Sequence, residues 1–277
     1  MILRLPRFTV FGIAASFLIC ASIPAARGAS QLETPAISPI ATLDPPLVTS
    51  DGRRSGGDFV KNLGRNSVGL YDHDNVGPFL VGLGATGGAT FLDDDCKRFF
   101  GGARRAKWLG DSADRIGGRY VIIPAAAFLY AAGRWSDGHQ RFRDWTYDLG
   151  QATLVTAGYT IAIKYATRRF RPDGSNSGSF PSGHTANAFA WAYVANRYGG
   201  PWMGSGAFAM AGLIGIGRME KNAHHLSDVV GGAALGYIVS RTVVRKNGDL
   251  ASAAAATPSS ARSARAEPPM IRIFVRF

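Results

Sequence analysis

The sequence predicts an all-α chain, folded as a compact helical bundle of about six core helices. Two patterns and one bound carry that expectation. Apolar stretches at about 77–92, 119–133, 149–166, 185–198, 203–217 and 226–244 are separated by short polar breaks. They are rich in Ala, Gly, Leu and Ile, and none shows the strict two-residue alternation of a half-buried strand. A chain of 277 residues has room for one good-sized domain plus tails.

The elements fall in order. Residues 1–28 read as a secretory signal peptide: basic Arg4 and Arg7, an apolar run over 8–23, then small residues through Ala26, Gly28 and Ala29. An uncleaved N-terminal anchor is the alternative. Either way the remainder is expected outside the cytoplasm, in a bacterial cell envelope. Residues 29–57 are rich in Pro, Ser, Thr and Gly without apolar period and read as a flexible linker. Residues 58–246 form the expected domain. Residues 247–277 read as a disordered tail, with a partial alternation over 270–277 that is compatible with one strand.

Most of the apolar stretches fall short of the roughly 20 residues a spanning helix needs. A compact domain in the periplasm or resting on a membrane surface is therefore expected, with a multi-pass protein as the alternative. Lys97, Arg98, Arg104, Arg105 and Lys107 cluster as they would in a cytoplasmic loop and favour that alternative. The net charge of +12 favours anionic partners. No nucleic-acid-binding motif accompanies it, so phosphorylated substrates and anionic lipid surfaces are preferred to nucleic acid. The two cysteines, Cys20 and Cys96, build neither a disulfide framework nor a zinc site. No metal or cofactor is called for, and the oligomeric state is left open.

Three blocks carry chemistry. In the first, Lys164 is followed after six residues by Arg171-Pro172, where the proline stops a helix and fixes the loop. The second is Gly178-Ser179-Phe180-Pro181-Ser182-Gly183-His184, a Ser-Gly turn opening a helix, where backbone N–H groups and the helix dipole favour an anion. Ser182 reads equally well as a helix cap, and His184 as a structural histidine. The third is Arg218-x5-His224-x3-Asp228. A carboxylate four residues on, on the same helix face, fixes the imidazole tautomer and stabilises its cationic form. Taken alone, that pair is also compatible with a self-satisfied buried His–Asp contact.

Read in order, the blocks resemble the signature of the type 2 phosphatidic acid phosphatase (PAP2) superfamily, which includes bacterial acid phosphatases and vanadium-dependent haloperoxidases. The resemblance covers about 65 residues in detail. It implies His224 as the nucleophile, Asp228 as its orienting carboxylate and His184 as the general acid. It implies a phosphate cradle of Lys164, Arg171, Arg218, Ser182 and the Gly183 N–H. Three cations and oriented N–H groups stabilise phosphoryl transfer without Mg²⁺. The implied activity is a metal-independent phosphatase acting through a phosphohistidine on phosphate monoesters or pyrophosphates, with lipids preferred. A periplasmic acid phosphatase on soluble phosphomonoesters and, in different chemistry, a haloperoxidase are the alternatives.

The chain departs from the pattern in two places. Gly217 stands where a serine usually precedes the third-block arginine, which removes one hydrogen bond to phosphate. Only eight residues separate Pro172 from Pro181, a short loop that suggests a more open site. His225 reads as a neighbour of the nucleophile and not as a catalyst. Asp93-Asp94-Asp95 reads as a solvated turn in preference to a metal site, and His73 between Asp72 and Asp74 is similarly weak. Trp135, Trp145 and Tyr147 suit either a membrane surface or the helical core.

Overall fold

The computed structural model describes residues 54, 56–101, 107–136 and 139–255. The expected signal peptide and the 270–277 strand lie outside the described residues, as does nearly all of the 29–57 linker. Eight α-helices follow one another among the described residues: α1 (Phe59–Val68), α2 (Val76–Thr90), α3 (Asp93–Gly101), α4 (Lys107–Ile116), α5 (Arg119–Trp135), α6 (Gln140–Thr167), α7 (Gly183–Glu220) and α8 (Leu226–Ala255). There is no strand among the described residues. The chain is all-α, as its apolar patterning requires.

The centre is a three-helix packing of α6, α7 and α8. Leu149, Ala152 and Val155 of α6 meet Ala190, Tyr193 and Val194 of α7 and Leu235, Val239 and Val243 of α8. Helix α4 lies on α7, α5 on α6, and α2 on α8. The α7–α8 crossing is close because small residues face each other. A Cβ at Gly236 would stand 2.0 Å from the Ala186 carbonyl oxygen, and one at Gly232 would stand 2.5 Å from that of Ser182. This contact sets the start of α7 against the first turns of α8, and so brings the second and third sequence blocks together.

The structure changes three boundaries. The stretches 185–198 and 203–217 belong to one element, α7, broken at Gly200, whose φ of 83° precedes Pro201. Glycine adopts that conformation readily, and the proline cannot continue the hydrogen-bond ladder. Helix α8 runs on to Ala255, past the expected domain edge at 246, and its Asn247 is buried and donates to Asp148 at 2.6 Å. Arg54, inside the expected linker, is buried against Asp144 and Asp148. No single helix among the described residues is long and apolar enough to cross a membrane; α4 and α5 together, bent by 44°, pass that test as a pair. The aromatic trio divides: Trp135 is exposed, Tyr147 is fully buried, and Trp145 is half-buried against the core.

Candidate active site

The site residues sit at helix ends or in the loops that join them. Lys164 occupies the last turn of α6, and the helix stops at Arg168 in a left-handed conformation. The loop that follows is pinned at several points. Ser179 N–H donates to the Arg169 carbonyl at 2.9 Å, Arg171 N–H to that of Asn176 at 3.0 Å, and Asp173 N–H to that of Asn222 at 3.1 Å. The last bond ties the first block to the turn carrying the third. Ser182 N–H then donates to the Asp228 carbonyl at 2.9 Å, tying the second block to the third. Ser182 precedes the first residue of α7 but makes no side-chain cap; its fully buried hydroxyl accepts from Thr185 at 3.0 Å.

His224 is not on the helix that carries Asp228. It lies in the turn after α7, two residues ahead of Leu226, where α8 begins. Asp228 reaches back from the first turn of α8 to accept the His225 N–H at 2.8 Å, the reciprocal half of a capping box. The four-residue spacing still brings the pair together, with His224 Nδ1 3.8 Å from Asp228 Oδ2, an ion-pair distance beyond hydrogen-bond reach. His225 Nδ1 is nearer, at 3.2 Å. Ser179 Oγ also donates to Asp228 Oδ2.

The cations converge. Lys164 Nζ donates to the carbonyls of Gly178 and Ser179, at 3.3 Å for the latter. Burial, then the Arg171 guanidinium, lower its pKa to about 8. Burial lowers Arg218 as well, against the pull of Asp114, and Arg171 adds to that lowering. Burial pushes His184 down to about 3, helped by Arg218 and His224. Burial also brings His224 to about 4, with Lys164 and Arg218 adding to it against the pull of Asp228. Burial works to raise Asp228, but His224, Ser179, the His225 N–H and Arg169 together hold it well below the usual carboxylate range. Lys164, Arg171, Arg218, His184, His224 and Asp228 are therefore linked through one chain of electrostatic contacts. Four buried nitrogens among them, His184 Nε2, His224 Nδ1, Arg171 Nε and Arg218 Nε, have no hydrogen-bond partner in the protein.

Four features were missed by sequence reasoning. Asp114 of α4 accepts from Arg218 and, at 2.9 Å, from Lys221, and stands 3.5 Å from His184 Nε2. The Gly117-Gly118 corner between α4 and α5 covers His184: a Cβ at Gly117 would lie 3.0 Å from Cδ2 of its ring. Arg169 bridges Asp228 and Asp93. Asp93 itself is buried, which corrects its reading as part of a solvated turn; Asp94 and Asp95 are exposed. Gly217, too, has a structural reason. A Cβ there would stand 2.6 Å from that of Ala113 and 2.8 Å from the Leu109 carbonyl oxygen, so α4 leaves no space for a serine.

Comparison with known proteins finds one similar sequence and two similar solved structures. The chain is 44% identical over 124 residues to the lipid A 1-phosphatase of Porphyromonas gingivalis, which covers 43% of this chain and 27% of that protein. It thus spans about a quarter of the length of that curated relative. The Aquifex aeolicus LpxE crystal structure aligns with a TM-score of 0.46 and 24% identity, over 56% of this chain and 95% of that one. The transmembrane PAP2-type phosphatidylglycerolphosphate phosphatase from Bacillus subtilis aligns with a TM-score of 0.43 and 18% identity, over 70% and 96%. Residues 145–250, which hold all three blocks, match the family model of the PAP2 superfamily.

Proposed function

We propose that this chain is a phosphatase that hydrolyses phosphate monoesters of lipids through a phosphohistidine on His224, without a metal ion. The convergence of Lys164, Arg171 and Arg218 on two imidazoles, buried His224 and half-buried His184, whose Nδ1 and Nε2 respectively make no hydrogen bond within the protein, carries this reading. Three cations offset the charge of the equatorial phosphate oxygens, and the helix start at Gly183 adds N–H donors. His224 turns Nδ1 towards Asp228, which leaves Nε2 to attack phosphorus as the P–O ester bond breaks. The charge of the bound phosphate favours the protonated form of His184 over the neutral form of the free protein, and the ring gives its proton to the departing oxygen. Neutral His184 then takes a proton from water, whose oxygen attacks phosphorus as the P–N bond breaks, returning the electron pair to His224 and releasing inorganic phosphate.

The substrate class rests on two observations. The similar Porphyromonas protein is named for the 1-phosphate of lipid A. Tyr165 and Phe170, beside Lys164 and Arg171 in sequence, are 75% and 68% exposed, an apolar lip next to the cradle. A lipid phosphate presents acyl chains to such a lip while its phosphate enters the cradle, and a net charge of +12 favours an anionic membrane surface. The site accordingly works at a membrane surface in the cell envelope.

The test is turnover of lipid A 1-phosphate, phosphatidate and a soluble aryl phosphate in EDTA, with wild type and His224→Ala. Wild type is expected to release phosphate from a lipid and to yield an alkali-stable, acid-labile phosphoenzyme on quenching. His224→Ala is expected to do neither. Normal turnover in that variant, or a strict need for added divalent metal, would sink the reading. A preference for the aryl phosphate would move the substrate class to soluble monoesters.

A further inference from the structure

Arg169 lies outside the residues assigned to the phosphate, yet it is the best-connected cation near His224. Its Nη1 donates to Asp228 Oδ1 at 2.8 Å and to Ser227 Oγ at 2.6 Å. Its Nη2 donates to Asp93 Oδ2 at 2.7 Å. Asp93 comes from the start of α3, 76 residues earlier, and accepts the Ser227 N–H at 2.8 Å and the Ser227 hydroxyl at 2.7 Å. Both carboxylates and Ser227 are buried. The guanidinium fork is spent on two carboxylates and a hydroxyl, so it is not a free donor for a substrate phosphate. Its backbone carbonyl meanwhile holds Ser179, whose hydroxyl donates to the other oxygen of Asp228.

We propose that Asp93 and Arg169 form a positioning unit that fixes the rotation of the Asp228 carboxylate and, through it, the tautomer and aim of the His224 ring. This rests on the role of His224 given above. With Oδ1 clamped by Arg169, Oδ2 is left to face Ser179, His225 and His224. A carboxylate otherwise turns about a broad torsion with little resistance. Clamping one oxygen with a charge-assisted bond, itself braced by a second carboxylate, removes that freedom. Asp93 takes the Arg169 nitrogen that Asp228 does not reach, which gives a buried aspartate at position 93 a partner.

The discriminating measurements are steady-state kinetics on a lipid phosphate and on an aryl phosphate, and ¹⁵N NMR of the histidine rings. The variants are Arg169→Ala, Asp93→Asn and the double variant. Arg169→Ala is expected to lower kcat on the order of 10–100-fold with KM little changed, because aim is lost and phosphate binding is kept. Asp93→Asn is expected to give a smaller loss of the same kind, and the double variant no more than Arg169→Ala alone. Added guanidinium ion is expected to restore part of the lost kcat in Arg169→Ala. The His224 ring is expected to shift from one tautomer towards a mixture.

A raised KM with kcat retained would make Arg169 a substrate ligand and overturn the proposal. So would additive losses in the double variant, or an unchanged His224 tautomer. If Arg169→Ala fails to fold, Asp93→Asn, which keeps side-chain shape, decides the matter: an unaltered kcat and tautomer there overturn it. The ring measurement needs no turnover, so an inactive wild type would count against the proposed function and leave this inference to stand or fall on the tautomer.

Discussion

Asp114 of α4 accepts hydrogen bonds from Arg218 and Lys221 while standing 3.5 Å from His184 Nε2. A half-exposed carboxylate thus touches both a cradle cation and the proposed general acid. It has two opposed effects. Its charge competes with phosphate for Arg218, and the same charge supports protonation of His184 against the burial that pushes it down to about 3.

Asp114→Asn is therefore expected to separate binding from turnover. Inorganic phosphate should inhibit the variant more tightly, by about 3–10-fold, as one negative charge leaves a partly solvated site. kcat should fall by about tenfold, because His184 holds its proton less well. Product-inhibition constants and kcat measured together check both. Weaker phosphate binding in the variant would show that Asp114 serves to hold Arg218 in place and not to compete for it.

The alkaline limb of activity is expected to belong to Lys164. Its pKa in the free protein is lowered to about 8, by burial first and then by Arg171. A lysine is charged below its pKa, so the cradle keeps three cations at neutral pH and loses one as pH rises through about 8. kcat/KM, which reports the free enzyme, should decline above that point. Lys164→Arg should remove this decline, since arginine stays charged throughout. A profile identical in wild type and variant would assign the limb to another group.

The parts of this site that could be read in the sequence are those set by short spacing. Lys164 to Arg171, Ser182 to His184 and Arg218 to Asp228 each lie within about ten residues, where helix ends and turns decide who meets whom. The helical class was legible for the same local reason, in the apolar stretches. Asp114 and Asp93 were not legible, because they meet Arg218 and Arg169 across 104 and 76 residues. Only the packing of α4 on α7, and of α3 beside the start of α8, creates those pairs. The helix carrying Asp228 begins after His224 because Asp228 itself caps it, a tertiary detail that a four-residue spacing does not distinguish from one continuous helix. Gly217 reads from sequence as a lost hydrogen bond and from the structure as a contact with Ala113 and Leu109.

Gly217→Ser follows from that contact. Restoring the family's usual residue should not improve catalysis. The added Cβ must displace α4, and overpacking of this kind costs about 1–3 kcal/mol. For a domain of this size that is a fall in Tm of roughly 2–10 °C. Because α4 carries Asp114, kcat should fall as well. Thermal unfolding and steady-state kinetics on the same preparation check this. Unchanged Tm with higher kcat would mean that α4 yields easily and that the missing hydroxyl limits the enzyme.

The last expectation concerns the N-terminal side of the domain. Arg54 is buried between Asp144 and Asp148 of α6; its Nε lies 3.2 Å from Asp148 Oδ1 and its Nη1 3.5 Å from Asp144 Oδ2. Burial alone would lower its pKa, but Asp148, Tyr198 and Asp144 outweigh it and hold the guanidinium charged. Tyr198 and Asn247 add donors at 2.6 Å each to Asp148, which joins α6, α7 and α8 through one carboxylate. Removing one partner of a buried pair leaves an uncompensated charge, at a cost of about 3–5 kcal/mol. Arg54→Ala should therefore lower Tm by roughly 10 °C. The double variant Arg54→Met with Asp148→Asn should recover part of that loss, because the orphaned charge goes with its partner. Thermal unfolding of wild type and the variants checks this. A Tm of Arg54→Ala equal to that of wild type would show that Arg54 contributes nothing to holding the bundle together.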